Sequence, residues 1–394
     1  MRTTTLEEVL DEIIDHRGRT PKKLGADFTN AGVPVISAKL IRQGAIDFEN
    51  VRFVSHETWE KWMPVPLQEG DVILTSEAPL GKTAFVPSND PLVLGQRLFA
   101  LRGKADVIDN AYLRYWLESE VGQAQLAGRA SGTTVLGIRQ ALLRKVEIDL
   151  PPLRAQRSVG KFLKALDDKI VANQTSISKI DEILRALWQK ELSLSNIDVP
   201  LSSLASFVNG KAFTKGASGT GRVVVRIAEM NSGIGSRTVY SDIDAAPDNV
   251  VDPGELLFAW SGTLMTKRWP YDQAIVNQHI FKVVPNGKLD LWALRQAIDA
   301  QLEYFQMIAA GKATTMGHIK RGDLDQEVEV PAQMSEEANQ LGNSLWGLAT
   351  SLEIQNLQLA RTRDELLPLL MSGRITVGEA EDAAHVAGTA ASES

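Results

Sequence analysis

Residues 151–188 read PPLRAQRSVGKFLKALDDKIVANQTSISKIDEILRALW, and this stretch decides the fold. After the two prolines, mainly apolar positions recur at steps of three and four residues, which is the spacing of a coiled-coil seam. The seam positions are Val159, Phe162, Leu166, Ile170, Asn173, Ile177, Ile180, Leu184 and Leu187. The pattern predicts one long helix near residues 153–192.

A second seam follows Pro331 and predicts another long helix near residues 335–372. Its positions are Ala338, Leu341, Leu345, Leu348, Leu352, Gln355, Leu359, Thr362, Leu366 and Leu369. At a rise of about 1.5 Å per residue, a helix of roughly 40 residues is about 60 Å long. Two such helices in one chain would most simply pack on each other, so we expect an antiparallel coiled coil.

The segments that precede the two seams also repeat, at a shift of 180 to 184 residues. The matching pairs are Gly70–Thr75 with Gly254–Ala259, Leu94–Phe99 with Val276–Phe281, Thr133-Thr134 with Thr314-Thr315, Ile138-Arg139 with Ile319-Lys320, and Val146–Pro151 with Gln326–Pro331. Their common order and spacing indicate a diverged internal repeat. Strand patterns dominate each copy, so the chain is predicted to contain two α/β (α+β) units related by pseudo-twofold symmetry.

The repeat predicts five segments along the chain. Globular units occupy residues 1–152 and 196–334, and long helices occupy residues 153–195 and 335–374. Residues 375–394 form an acidic tail of small side chains without an apolar period, which predicts disorder.

Each predicted seam is interrupted by one polar residue near its middle. The two residues, Asn173 and Gln355, are equivalent at the shift of 182 that aligns the seams. A single polar seam residue is commonly a tolerated imperfection, whereas two at equivalent positions suggest a device that fixes helix register. We therefore predict that the two amide side chains face each other and are hydrogen-bonded.

Composition bounds the class of protein. The 394 residues carry a formal net charge of −7, with 44% apolar and 23% charged residues, which is typical of globular chains. There are no cysteines, which excludes disulfides, thiolate metal sites and cysteine nucleophiles. The amino terminus lacks the apolar core of a signal peptide and no run is long enough to span a membrane, so we expect a cytoplasmic protein.

No motif supports catalysis by this chain. Leu80-Gly81-Lys82-Thr83 is similar to the end of a phosphate-binding loop, but Ser76 stands where the first glycine is needed and a strand pattern follows. Asn89-Asp90-Pro91-Leu92 fits a turn better than a base-binding methyltransferase motif. The five histidines have no metal-ligand spacing.

The helical segments resemble a known family. Leu150–Leu163 and Ile180–Leu184 are similar to the central conserved region of the specificity subunits of type I restriction-modification systems. Leu359–Ile375 is similar to their carboxy-terminal conserved region, and Gly132–Ile138 resembles the end of a target-recognition domain. The second copy departs from the first at residues 310–318, where the glycine spacing is shifted.

The resemblance implies that each globular unit is a target-recognition domain that reads one half of a bipartite DNA site. The helices would set the spacing and dock two methyltransferase subunits, which would supply S-adenosylmethionine, and restriction subunits with ATP and Mg²⁺ would join them. The chain itself would hold no cofactor and no metal. The alternative is a non-catalytic coiled-coil scaffold whose globular units bind proteins.

DNA affinity depends on basic side chains that cluster on one surface. The clearest cluster is His16-Arg17-Gly18-Arg19-Thr20-Pro21-Lys22-Lys23, although such a run is equally common in solvated loops. The predicted DNA contacts are Arg17, Arg19, Lys22, Lys39 and Arg97 in the first unit, and Lys211, Lys215, Arg226, Lys267 and Arg268 in the second.

Overall fold

The computed structural model describes residues 2–42, 44–132, 135–311 and 317–390. The chain divides into two compact units, Met1–Lys169 with Gln358–Ser394 and Ile170–Leu357, which we call the first and the second unit. The repeated pairs Thr133-Thr134 and Thr314-Thr315 lie outside the described residues. No helix within the described ranges is both long and apolar enough to span a membrane.

The first unit begins with a run of short strands and helices. The strands are β1 (Arg2–Thr5), β2 (Leu10–Ile14), β3 (Val33–Ile36), β4 (Ile41–Arg42), β5 (Ala45–Ile46), β6 (Arg52–Val54), β7 (Val72–Thr75), β8 (Thr83–Phe85), β9 (Val93–Leu94), β10 (Leu98–Gly103) and β11 (Glu147–Leu150). The helices are α1 (Leu6–Val9), α2 (His56–Trp62), α3 (Asn110–Glu118), α4 (Glu120–Gly128) and α5 (Gln140–Leu143), with 3-10 turns at Pro21–Leu24 and Ala38–Leu40. The long helix α6 spans Leu153–Leu194.

The second unit repeats this order. Its strands are β12 (Asn196–Pro200), β13 (Ala205–Asn209), β14 (Arg222–Val225), β15 (Tyr240–Ser241), β16 (Val250–Val251), β17 (Leu256–Ala259), β18 (Met265–Arg268), β19 (Ala274–Val276), β20 (Ile280–Pro285) and β21 (Glu327–Pro331). Its short helices are α7 (Ile227–Ser232), α8 (Leu291–Asp299) and α9 (Leu302–Gly311), with 3-10 turns at Leu201–Ser203, Pro247–Asn249 and Arg321–Asp325. The second long helix, α10, spans Glu336–Met371, and α11 spans Val377–Ala390.

Equivalent four-stranded antiparallel sheets form the centre of the two units. The strand order is β2-β10-β7-β8 in the first and β13-β20-β17-β18 in the second. Register confirms the repeat, because Leu98 pairs with Thr75 in one sheet and Ile280 pairs with Ala259 in the other. Strand β7 is buried throughout because successive side chains point to opposite faces and both faces are covered. The predicted α/β repeat is therefore confirmed.

Each long helix contributes to both units and packs antiparallel to the other within each. In the second unit, Glu191 near the end of α6 accepts a hydrogen bond from the amide of Ser335 at the start of α10. In the first unit, Leu163 shares one apolar core with Leu366 and Leu370. The sequence predicted globular and helical segments that follow one another along the chain. In the structure, each of the two compact units contains part of both long helices.

The buried stripe of α10 differs from the predicted seam in the second unit. Leu341 and Leu348 are 47% and 50% exposed, whereas Gly342, Trp346 and Ala349 are buried. The helix turns these residues inward because it packs against the α/β part of the unit as well as against α6. The core that contains Trp346 and Ala349 also contains residues of the sheet and of α8.

The tail was predicted to be disordered, but residues 377–390 form helix α11. Thr376 and Glu379 cap its first turn reciprocally, since the Thr376 amide donates to Glu379 and the Glu379 amide donates to the Thr376 hydroxyl. Ala380 is fully buried in the apolar core of the first unit. A capped first turn and one buried face stabilise a segment whose composition alone predicts disorder.

Candidate nucleic-acid interface

Several loops of the first unit meet at one end of its central sheet. The register pairs Ile14 with Ala100 and Thr75 with Leu98, so the chain leaves β2 and β7 and enters β10 at the same end. We call residues 15–19, 76–82, 96–97 and 135–139 the first loop end. Backbone hydrogen bonds join its segments, from the Ile138 amide to the Ser76 carbonyl and from the Ser76 amide to the Arg97 carbonyl.

Arg17 holds the first loop end together. Its Nε and Nη2 donate to Asp15 at 2.8 and 2.7 Å, and its Nη1 donates to the Ile138 carbonyl at 3.0 Å. The guanidinium also stacks on Phe99, 4.2 Å from the ring centroid. Arg19 is half-buried, and its Nη1 donates to the Trp62 carbonyl. Both predicted DNA contacts therefore already bind parts of their own unit.

The other three predicted residues of the first unit are exposed. Lys22 lies on the 3-10 turn that Thr20 caps, and Lys39 lies on the next 3-10 turn. Neither ammonium has a hydrogen bond or ion pair within the described part of the chain. Arg97 is 52% exposed at the first loop end, and its Nε lies 3.0 Å from Glu77 Oε1. The two lysines are free to meet an anionic ligand, and Arg97 is accessible but paired with Glu77.

An equivalent end exists in the second unit, built from different side chains. We call residues 209–211, 260–264, 277–279 and 317–319 the second loop end. Its Trp260 donates from Nε1 to Asn209 Oδ1 at 2.9 Å and lies 5.5 Å from the His279 ring, between centroids. The Ile319 amide donates to the Trp260 carbonyl, as the Ile138 amide does to Ser76 in the first unit.

The structure corrects the prediction for Arg268. Its side chain is 1% exposed, it forms ion pairs with Glu353 and Asp181, and it stacks on Trp346 at 4.6 Å. A guanidinium held in this way cannot reach DNA. The alternation of β18 turns it inward, towards the long helices, and turns the partly buried Lys267 before it to the opposite face of the sheet.

The other predicted residues of the second unit differ in their availability. Lys267 donates to the Met230 carbonyl at 2.7 Å, and burial lowers its pKa. Arg226 pairs with Glu229 at 2.6 Å, and this hydrogen-bonded carboxylate raises the pKa of the guanidinium. Lys211 and Lys215 are exposed, and within the described residues their ammonium groups have no hydrogen bond or ion pair. Lys211 lies at the second loop end, in the place that Arg17 has in the first.

Buried polar atoms without partners occur at both loop ends, and others occur elsewhere in the described residues, for example Trp292 Nε1 and Asn339 Oδ1. Among the described residues of the loop ends they include His16 Nε2 and Ser76 Oγ in the first unit. In the second they include Asn277 Oδ1, Gln278 Oε1 and His279 Nδ1. Burial lowers the pKa of His16, and the nearby Arg19 adds to the effect. Buried polar groups without a partner are rare in folded proteins, so these five side chains are candidates for contact with a ligand or with water.

The sequence analysis did not predict Glu77 and Trp260 as site residues. Glu77 pairs with Arg97 at the first loop end, and Trp260 contacts Asn209 and His279 at the second. A signal was present, since the repeat aligns Arg97 with His279 and the strand pairing then aligns Ser76 with Trp260. Side chains that differ at equivalent positions of one scaffold are candidates for specificity.

The two polar seam residues form a hydrogen bond. Asn173 is buried, and its Nδ2 donates to Gln355 Oε1 at 2.7 Å and to Asn356 Oδ1 at 2.9 Å. The second acceptor, Asn356, was not predicted. The hydrogen-bonded pair is present, and its role in fixing helix register stays a prediction.

A family model and several known proteins are similar to parts of this chain. Residues 1–182 match the family model of the type I restriction modification DNA specificity domain. The specificity subunit of the type I restriction enzyme MjaVIII of Methanocaldococcus jannaschii is 26% identical over 198 residues, which are 48% of this chain and 46% of that protein. The EcoAI specificity subunit of Escherichia coli is 22% identical over 175 residues, 43% of this chain and 28% of that protein. The chain thus matches less than half the length of these curated relatives.

A solved structure resembles the whole chain. The S subunit of a type I restriction-modification system from M. genitalium aligns with a TM-score of 0.59, 15% sequence identity, and coverage of 94% of this chain and 95% of that one. At this identity the likeness shows the fold alone.

Proposed function

We propose that this chain, which belongs to the type I restriction-modification DNA specificity family, is the subunit that recognises the DNA sequence for its complex. Each unit reads one half of a bipartite site, with the loop ends as the reading surfaces. Exposed lysines such as Lys22, Lys39, Lys211 and Lys215 contact the phosphate backbone and position each unit without reading bases.

The observation that carries this proposal is the pairing of one scaffold with two different sets of polar side chains. The two sheets share strand order and register, whereas Arg97 and Glu77 at the first loop end correspond to His279 and Ser261 at the second. Two identical readers would bind a symmetric site. Two readers that share one scaffold but carry different side chains at their loop ends suit a site whose halves differ in sequence.

We further propose that α6 and α10 set the spacing between the half-sites and dock two methyltransferase subunits. The support is a set of large apolar side chains that the long helices leave exposed: Val171, Ile183, Leu341 and Leu348. These side chains are available for contact with a partner, and a contiguous apolar patch on the helices would mark a protein interface. Methyl transfer from S-adenosylmethionine, and ATP- and Mg²⁺-dependent restriction, belong to the partner subunits, which act with this chain in the cytoplasm.

A DNA selection experiment tests the function. The full chain, together with the methyltransferase subunits of its system, is incubated with random duplex DNA, and the retained DNA is sequenced. The expected result is two short constant blocks of different sequence, separated by a spacer of fixed length. The rival function, a scaffold whose units bind proteins, would leave the retained DNA random.

A second measurement concerns chemistry. The purified chain alone is expected to transfer no methyl groups and to hydrolyse no ATP. Binding of S-adenosylmethionine by the isolated chain, measured by calorimetry, would contradict the proposed division of labour.

A further inference from the structure

Arg97 has a backbone conformation that is unusual for its residue type. Its φ is 65°, in the left-handed region that glycine adopts without strain and other residues rarely occupy. Strained backbone conformations of this kind cluster at functional sites, where they place a side chain in the position that its function needs. The residue directly precedes β10, so the strained backbone aims its side chain from the end of the central sheet.

The carboxylate of Glu77 forms an ion pair with this guanidinium. Glu77 Oε1 lies 3.0 Å from Arg97 Nε, which leaves the two Nη groups as the free end of the side chain. In the described part of the chain, neither Nη group has a hydrogen-bond acceptor. Arg17, in the same loop end, differs in this respect because its Nη atoms both have protein acceptors.

The turn that carries Glu77 is tightly built. The Thr75 hydroxyl donates to the Pro79 carbonyl at 2.7 Å and accepts from the Lys82 amide at 2.8 Å. On its other side, Glu77 forms a β-bridge with Gly137. These contacts fix the backbone on both sides of Glu77, so its carboxylate is presented to Arg97 from a defined position.

We propose that Arg97, positioned by Glu77, reads a guanine in the half-site bound by the first unit; this rests on the proposed function. Two parallel Nη donors match the O6 and N7 acceptors that guanine presents in the major groove. No other base presents two acceptors in that arrangement. The equivalent positions of the second unit hold His279 and Ser261. This pair has neither two parallel guanidinium donors nor a carboxylate, so guanine recognition of this kind is confined to the first half-site.

Exposed apolar side chains beside the pair fit the same surface. Val135 and Leu136 are 49% and 53% exposed, and they directly precede the Gly137 that bridges to Glu77. Apolar groups next to a guanine-reading arginine are suited to contact a thymine methyl group or the edge of a base step.

The test uses the full chain in complex with its methyltransferase subunits and compares DNA selected by the native and variant proteins. Arg97→Lys keeps the positive charge but removes the two parallel Nη donors of the guanidinium. It is expected to lower the preference for guanine at one position of the first half-site about tenfold, with the second half-site unchanged. Glu77→Gln is expected to weaken the same preference about threefold, since the guanidinium stays but loses its orientation.

Arg144→Lys is the matched control. Arg144 also pairs with a glutamate, Glu7, at 3.8 Å, but it lies next to the segment that enters β2, away from the loop end. Its substitution is expected to leave both half-sites unchanged. Arg97 is exposed, so a melting temperature equal to that of the native protein checks that the variant folds.

Each outcome decides between two statements. A native protein that selects no sequence contradicts the proposed function itself. A native protein that selects a bipartite site whose first half lacks guanine, or whose guanine preference survives Arg97→Lys, overturns the inference and leaves the function standing. Equal loss of affinity for all DNA in Arg97→Lys would make Arg97 a phosphate contact and would also overturn the inference.

Discussion

The two units place a cation on an aromatic ring at the same position, with the partners exchanged. In the first unit, Lys164 of α6 lies over Phe85 of β8, with its Nζ 5.9 Å from the ring centroid. In the second, Arg268 of β18 lies over Trp346 of α10 at 4.6 Å. Strand register makes Phe85 equivalent to Arg268, and the shift of 182 makes Lys164 equivalent to Trp346. The repeat has kept the contact and exchanged the residue types.

A second anchor of the long helices, built from ion pairs, is also kept by different means. In the first unit, Asp167 of α6 lies between Arg114 and Arg363, at 2.9 and 2.7 Å. Burial favours the neutral carboxyl, but the two guanidinium groups outweigh it and lower the pKa of Asp167. In the second unit, Asp181 of α6 lies 3.1 Å from Arg295 and 3.8 Å from Arg268.

This comparison teaches that the repeat preserves interactions rather than residues. Asp181 is equivalent to Arg363 at the shift of 182, so the acid of one anchor stands where the other has a base. A role assigned to a residue in one unit therefore cannot be transferred to its equivalent. Arg268 was taken for a DNA contact, although it has the structural role that Phe85 has in the first unit.

The largest expected effect tests the exchanged pair. Arg268→Ala leaves Glu353 without its buried partner, while Asp181 keeps Arg295, and should lower the free energy of unfolding by about 3 kcal/mol. The double variant Arg268→Phe with Trp346→Lys rebuilds the arrangement of the first unit. It should lose less stability than the sum of the two single variants, measured by urea denaturation. Strict additivity would show that the ring contact does not couple the two positions.

A smaller effect is expected at two glycines that the repeat makes equivalent, Gly160 and Gly342. A Cβ at Gly342 would overlap the Trp292 ring, and one at Gly160 would lie 2.8 Å from the Tyr112 amide nitrogen. Alanine at either position should cost about 2 kcal/mol, because overpacking exceeds the gain in helix propensity.

The control for the glycine variants lies on the same helix as Gly342. Gly347 is exposed and a Cβ there would meet nothing within 4 Å. Gly347→Ala should raise the unfolding free energy by about 1 kcal/mol, since only helix propensity changes. Destabilisation by Gly347→Ala would refute the packing explanation for the other two.

The polar pair of the long helices should have an effect of about 1 kcal/mol. Asn173→Leu leaves Gln355 and Asn356 without their donor and is expected to lower the unfolding free energy by about that amount. Replacing both Asn173 and Gln355 by leucine should leave the fold intact and broaden the spacing between selected DNA half-sites. An unchanged spacer length in the double variant would contradict the prediction that this pair fixes the register of the two helices.

The smallest effect depends on pH and should distinguish the units. Burial lowers the pKa of His16 below its ordinary 6.5, so the unfolded chain binds a proton more readily than the folded one. The stability of the first unit should therefore fall as the pH falls below 6.5. His16→Gln should reduce this dependence of stability on pH. The equivalent position in the second unit is Gly210, which does not titrate, so the second unit has no corresponding pH dependence. Hydrogen exchange resolved by unit measures the difference, and an unchanged slope in His16→Gln would contradict it.

Much of the fold could be predicted because it is encoded in local periodicity. The seam steps that begin at Val159 predicted a helix near 153–192, and α6 spans Leu153–Leu194. Matching strand patterns predicted the repeat that the two sheet registers confirm. The stripe of α10 was predicted one residue away from Trp346, because its inward face is set by contact with the sheet and α8, which a helical period does not contain.

Less of the candidate site could be predicted. Arg17, Arg97 and Arg268 look alike in sequence as basic residues next to strands. In the structure one binds its own loop end, one projects a free guanidinium tip, and one is buried against a helix. The difference lies in their partners Ile138, Glu77 and Glu353, none of which is a near neighbour in sequence.

The sequence by itself determined the two long helices, the repeated α/β unit and the polar pair at equivalent seam positions. These features depend on periodicity and on the order of short motifs, which the chain carries locally. Only the tertiary structure decided which cations are free, where the loops meet, and how each unit anchors its helices. Those properties depend on which side chains approach each other across long stretches of chain, as Asp167 and Arg363 do. Burial and charge pairing are set at such contacts, and no local pattern records them.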